Sequence, residues 1–121
     1  MWKRLDTNGI VEMFVSEAER GENDALVQFL QAMTIQPWAS EIYAATSLGN
    51  LRLTPAENYS EEDRYDSIHV SPDAAGRIVL SYMPRDSDVS DVEIVCMLEE
   101  VAAKLELMLI RLLDSRLSAE L

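Results

Sequence analysis

Apolar positions near the start of the chain recur at the three- and four-residue steps of an α-helix. Residues 8–20 follow this pattern and so do residues 24–33, with Gly21 lying between the two segments. Glycine favours the end of a helix because it adopts backbone conformations that other residues avoid. The pattern therefore predicts two short helices, although a single helix bent at Gly21 fits it as well.

The middle of the chain changes to the alternating pattern of half-buried β-strands. Four segments carry it, at residues 41–46, 51–54, 67–71 and 77–83. The connections are short, and the longest of them, residues 55–66, is polar and acidic. Because sequential strands joined in this way usually pair with their neighbours, we expect an antiparallel meander with one covered face and one wetter face.

Residues 89–117 give the strongest predicted element, a long amphipathic helix. Ser90 and Glu93 have the spacing of a capping box, which predicts the start of the helix nearby. Apolar side chains occupy more than half of its circumference, and this exceeds what its own sheet can cover. We therefore expect a homodimer with a seam along this helix. The seam residues are Leu98, Val101, Leu105, Met108, Leu109 and Leu112.

Together these elements predict an α+β fold in a single domain spanning residues 1–121. N-terminal helices are followed by a four-stranded antiparallel meander sheet, and the long C-terminal amphipathic helix packs on one face of that sheet. We find no segment with the pattern of a signal peptide or a membrane span, and a single cysteine, Cys96, allows no internal disulfide. A cytoplasmic location is the expectation.

The charge of the chain narrows the kinds of partner. There are 22 acidic and 10 basic residues, giving a net charge of −12. Nucleic-acid phosphates and anionic membranes repel such a chain, so we expect neither as a partner. The acidic residues concentrate in the first helix and its exit, in residues 57–66 and in residues 86–100. Such clusters attract a basic protein partner and speed its encounter.

The candidate partner-binding residues combine the acidic middle segment with nearby aromatic side chains, since aromatic residues anchor many interfaces. They are Glu57, Glu61, Glu62, Asp63, Asp66, Trp38 and Tyr43. A charge cluster is also typical of a well-solvated loop, and buried aromatic side chains are typical of a core. Both interpretations stay open at this point.

The sequence shows no recognisable catalytic or metal-binding motif. His69 is the one histidine and lies on the polar side of a predicted strand, whereas Cys96 falls within the most apolar helix. These positions do not favour a nucleophilic pair. Asp86 and Asp88 begin like a calcium-binding loop, but Asp91 stands where that loop needs glycine. We therefore predict no catalytic residues, no metal and no cofactor.

Three kinds of function fit these observations. We favour a non-enzymatic protein-binding module, chaperone-like or immunity/inhibitor-like, that acts as a homodimer. The alternative is a small enzyme or ligand-binding domain with a carboxylate-lined pocket between sheet and helix, which requires converging polar groups in a cavity. The third is a DNA mimic, which requires carboxylates in rows at the spacing of phosphates.

Overall fold

The computed structural model describes residues 2–18, 24–47, 50–87 and 89–120, in which six strands form one antiparallel sheet. Each strand pairs with the next along the chain, so the predicted meander is confirmed. The prediction of four strands is wrong, because a further strand lies at each edge. The strands are β1 (Trp2–Arg4), β2 (Tyr43–Ser47), β3 (Asn50–Thr54), β4 (Ser67–Pro72), β5 (Ile78–Met83) and β6 (Val92–Cys96).

The sequence pattern does not reveal either edge strand, and the physical reason differs between the two. Strand β1 has three residues, too few to show an alternating pattern, and its partner β2 specifies it by pairing Lys3 with Ala44. Strand β6 was assigned to the last helix because its apolar residues continue the helical spacing. Its sequence of Val92, Glu93, Ile94 and Val95 is rich in β-branched residues, however, and these favour extended backbone beside β5.

The last helix, α3 (Val101–Glu120), therefore starts twelve residues later than predicted, after a short 3₁₀ turn at Leu98–Glu100. The predicted cap at Ser90 and Glu93 is wrong. Instead, the Glu100 carboxylate accepts a hydrogen bond from the Met97 backbone N–H at 3.1 Å. This contact satisfies a backbone donor at the point where the chain turns from the sheet into the helix.

The helices cover one face of the sheet. Helix α1 (Ile10–Ala18) packs on α2 (Asp24–Met33), and α2 and α3 lie against the strands. The second predicted helix is confirmed with its predicted bounds, whereas Gly21 lies outside the described residues. The core between helices and sheet is made of fully buried apolar side chains, among them Phe14, Phe29, Leu30, Leu53, Ile68, Leu80, Leu105 and Leu112.

The acidic connection between β3 and β4 is more ordered than the predicted loop. It contains a 3₁₀ helix at Tyr59–Arg64, and the Asn58 side chain accepts a hydrogen bond from the Ser60 backbone N–H at 3.1 Å. A second 3₁₀ helix, Pro37–Glu41, leads into β2. In the described ranges, no helix has the length and apolar character needed to cross a membrane.

Candidate functional site

An open pocket of about 500 Å³ lies where β2 begins and β3 ends. Four parts of the chain meet there: the end of the 3₁₀ helix Pro37–Glu41, the start of β2, the acidic connection and the last turns of α3. The charged and aromatic side chains lining the pocket are Glu41, Tyr43, Glu57, Glu61, Arg64, Tyr65 and Arg116. We call this the Tyr43 pocket.

Arginines partly balance the carboxylates of the Tyr43 pocket. Arg116 Nη2 lies 3.2 Å from Glu41 Oε1, and Arg64 Nη1 lies 3.8 Å from Glu61 Oε1. The Arg64 guanidinium also sits over the Tyr65 ring, with its Cζ atom 5.4 Å from the ring centroid. Within the described ranges Glu57 forms no ion pair, so the pocket keeps one carboxylate available to a ligand.

The structure brings together three of the predicted partner-binding residues, Tyr43, Glu57 and Glu61, as walls of this pocket. Tyr43 is half-buried and Glu57 is exposed. Trp38 is half-buried in the 3₁₀ helix before β2 and packs against the core. The side chains of Glu62 and Asp63 lie outside the described part of the structure.

Asp66, also predicted to bind a partner, lies elsewhere and has a structural role. It is 9% exposed, and its carboxylate accepts hydrogen bonds from the Tyr82 hydroxyl at 2.6 Å and from the Arg85 backbone N–H at 2.8 Å. Burial of Tyr82 and its hydrogen bond to Asp66 raise the pKa of the Tyr82 hydroxyl far above its usual value of 10. The Asp66 carboxylate therefore binds groups within the fold and is not available to a partner.

The guanidinium of Arg111, on α3, completes this network. It lies 4.0 Å above the Tyr82 ring and donates to Asp91 through Nη1 at 2.9 Å. Hydrogen bonding to Arg111 lowers the pKa of the Asp91 carboxyl, and the same contact raises the pKa of Arg111. The network ties α3 to β5 and to the residue before β6.

The predicted dimer seam forms the inward face of α3. Five of its residues are at most 5% exposed and belong to the core beneath the helix: Val101, Leu105, Met108, Leu109 and Leu112. Leu98, in the preceding 3₁₀ turn, is partly buried against the same core. The apolar seam is thus accounted for by contacts within one chain, and a second copy would have to use other residues.

His69 and Cys96 lie on opposite faces of the sheet. Cys96 is buried in the core, and burial raises the pKa of its thiol. His69 is on the open face, where the strand register sets it between Arg52 on β3 and Ser81 on β5. No hydrogen bond joins His69 to Ser81 in the described structure. Nor do the described residues bring three metal-binding side chains together.

Sequence reasoning missed four of the seven charged and aromatic residues of the Tyr43 pocket, namely Glu41, Arg64, Tyr65 and Arg116. Arg116 lies 75 residues from its partner Glu41, and no local pattern signals a contact at that distance. Tyr65 and Arg64 directly precede β4, but nothing in their spacing predicts that they face Tyr43.

Comparisons with known proteins found no matching family model, no matching curated protein and no matching solved structure.

Proposed function

We propose that the chain is a cytoplasmic, non-enzymatic protein-binding module that acts as a homodimer and takes a basic segment of a partner protein at the Tyr43 pocket. The observation that carries the proposal is the convergence of Glu57, Tyr43 and Glu61 on one open pocket. Carboxylates attract an arginine or lysine side chain, and a tyrosine ring adds a cation–π contact.

The internal contacts of the pocket support a cationic ligand. Arg64 already rests over the Tyr65 ring and beside Glu61, so a guanidinium fits this combination of ring and carboxylate. The exposed Glu57 and the half-buried Tyr43 offer an incoming cation the same two kinds of group. The net charge of −12 adds a long-range attraction for a basic segment.

The test is an NMR titration of isotope-labelled protein with a capped oligoarginine peptide at physiological salt. We expect the amide signals of Tyr43, Glu57 and Arg64 to shift. Glu57→Gln is expected to weaken binding about threefold to fivefold, because an exposed ion pair contributes up to about 1 kcal/mol. Tyr43→Leu keeps the charge and is expected to weaken binding as well.

Glu99→Gln is the matched control, since Glu99 is an exposed glutamate outside the pocket and the variant changes the charge equally. Its affinity should stay at the wild-type value. Equal weakening by Glu57→Gln and Glu99→Gln would mean that the peptide responds only to overall charge, and the proposed site would then be abandoned.

The same pocket supports a second candidate, a small-molecule binder. Its volume of about 500 Å³ falls within the range of small-ligand sites, although such sites are mostly apolar and this one is lined by charged groups. Free arginine distinguishes the two candidates. Binding of free arginine as tight as that of the peptide would favour the small-molecule candidate.

The DNA-mimic alternative gains no support from the arrangement of the carboxylates. In the described structure, several acids are paired with arginines at separate places, for example Asp73 with Arg77 at 2.8 Å and Asp91 with Arg111. A phosphate-like row needs carboxylates that are aligned and unpaired.

A further inference from the structure

Strand β6 forms one edge of the sheet, and its outer side has no partner strand within the described ranges. The strand order ends at β6, and no turn among the described residues hydrogen-bonds to the side that faces away from β5. Alternate residues of such an edge strand present backbone N–H and C=O groups outward. An extended backbone is the group that can pair with this row along its whole length.

The two edges of the sheet differ in how they are protected against such pairing. Strand β1, at the opposite edge, has three residues, and its Lys3 and Arg4 are exposed. A short edge strand that carries lysine is a common protection. Strand β6 has five residues with no lysine or proline, and its Val92 and Val95 are 41% and 47% exposed. The edge at β6 is therefore open to pairing.

The side chains of β6 indicate which residues an added strand would carry. Val92 and Ile94 lie on the core side of the sheet, since they pair with buried residues of β5, whereas Glu93 and Val95 lie on the open side. An added strand places alternate side chains beside these two pairs. Apolar residues fit the row beside Val92 and Ile94, and basic residues fit the row beside Glu93.

The charge around β6 is acidic even after its ion pairs are counted. Residues 86–100 contain six acidic residues and no lysine or arginine. The arginines of neighbouring segments already offset acids here or close by. Arg111 is paired with Asp91, Arg85 with Asp86 and Arg77 with Asp73.

This excess of acid favours a basic segment over a second copy of the chain. Glu93, Glu99 and Glu100 are exposed, and Lys104, which lies two helical turns from Arg111 on the same side of α3, offsets one of them. A second copy paired edge to edge would bring an equal excess of acid, and like charges on neighbouring strands repel. A basic segment of another protein is attracted instead.

We infer that the outer edge of β6 takes an extended basic segment of a partner protein as a seventh strand, with basic side chains beside Glu93 and apolar side chains beside Val92 and Ile94. Backbone hydrogen bonds supply the affinity, and the side chains of β6 select the segment. This edge is separate from the Tyr43 pocket, so the inference goes beyond the proposed function and does not depend on it.

Amide hydrogen exchange followed by NMR tests the inference with a capped octapeptide of alternating valine and lysine. The outward amides of β6 should become protected. With free peptide at about nine times its Kd, their exchange should slow about tenfold. The amides of β1, at the other edge, should exchange as before. No added protection in β6 at saturating peptide would overturn the inference.

Two N-methylated forms of the peptide separate strand pairing from attraction between charges. One form carries the methyl groups on its valines and the other on its lysines, so both keep the same side chains and charge. Only one of these two sets of backbone N–H groups faces β6 in a paired strand. One form should therefore lose binding and the other keep it, and retained binding by both would overturn the inference.

Glu93→Lys tests the preference for a basic segment. It should weaken binding of the peptide about fivefold or more, because lysine then lies beside the lysines of the peptide. The matched control is Glu106→Lys, the same change at an exposed glutamate of α3 outside β6, which should bind like the wild-type protein. Equal weakening by both variants would mean that the peptide responds only to overall charge, and would overturn the inference.

Hydrogen exchange without peptide tests for a second copy at this edge. Protection of β6 that rises with protein concentration alone would mean that another copy covers the edge, and the inference would be rejected. The edge and the Tyr43 pocket can also fail separately. Glu57→Gln, which is expected to weaken binding at the pocket, should leave the protection of β6 by the valine–lysine peptide unchanged.

Discussion

Asp66 illustrates how a single residue in an acidic segment acquires a role that its neighbours lack. Its carboxylate is buried under the Tyr82 hydroxyl and the Arg85 backbone N–H, whereas Glu57, nine residues earlier, is exposed at the Tyr43 pocket. The sequence predicts both as partner-binding residues, because a cluster of acids carries no sign of which side chain points inward. The alternating pattern of β4 indicates the difference. Asp66 lies two residues before Ile68 and four before Val70, so it falls on the same side of the chain as these two core residues.

His69 gives the first residue-scale prediction in solution. Partial burial of the imidazole lowers its pKa below 6.5, and the nearby positive charge of Arg52 lowers it further. Because the unfolded chain then binds the proton more readily, the free energy of unfolding should rise with pH up to about 6.5 and level off above it. NMR titration is unambiguous, since the chain has one histidine.

Arg52→Gln removes one of the two causes, so the pKa of His69 should rise in this variant while staying below that of the protein in urea. A His69 pKa at or above the value in urea would contradict the burial of the imidazole.

At the scale of elements, the prediction was correct where the apolar residues fit only one period, either that of a helix or that of a strand. Helix α2 and strands β4 and β5 have a clear spacing and were found close to their observed bounds. Residues 92–96 fit both a helix and a strand. Their apolar positions extend the helical spacing, while their β-branched residues favour a strand. Pairing with β5 decides between the two, and that contact is not visible in the local sequence. Strand β1 likewise depends on its partner.

The turn between β4 and β5 provides a prediction at this scale. Gly76 has a φ of +78°, in the left-handed region, and a Cβ added at this position would meet no other atom within 4 Å. Gly76→Ala should therefore lower the free energy of unfolding by about 1–2 kcal/mol through backbone strain alone. Gly76→Asn should cost less, because asparagine tolerates this conformation. Urea denaturation measures both, and an alanine variant as stable as wild type would show that the turn adopts another conformation.

At the scale of the whole molecule, charge and apolar surface are separated. The Tyr43 pocket draws on the acidic connection, whereas the exposed apolar side chains Leu107, Ile110 and Leu117 lie on the outward face of α3. The sequence predicts acidic clusters and an exposed apolar seam on the last helix. It placed the exposed apolar surface on the wrong side of α3, because the helix is apolar on two faces and only packing shows which one the sheet covers.

The excess of acidic residues predicts how the Tm depends on salt concentration. With 22 acidic and 10 basic residues, the folded chain holds like charges closer together than the unfolded chain does. Salt screens this repulsion, since the Debye length falls to about 10 Å at 0.1 M. Salt also weakens the surface ion pairs, but each contributes little, whereas the repulsion sums over the molecule. The Tm should therefore rise as sodium chloride increases from low to physiological concentration, to the same extent with potassium chloride. A falling Tm would mean that the arginine–carboxylate pairs outweigh the net charge.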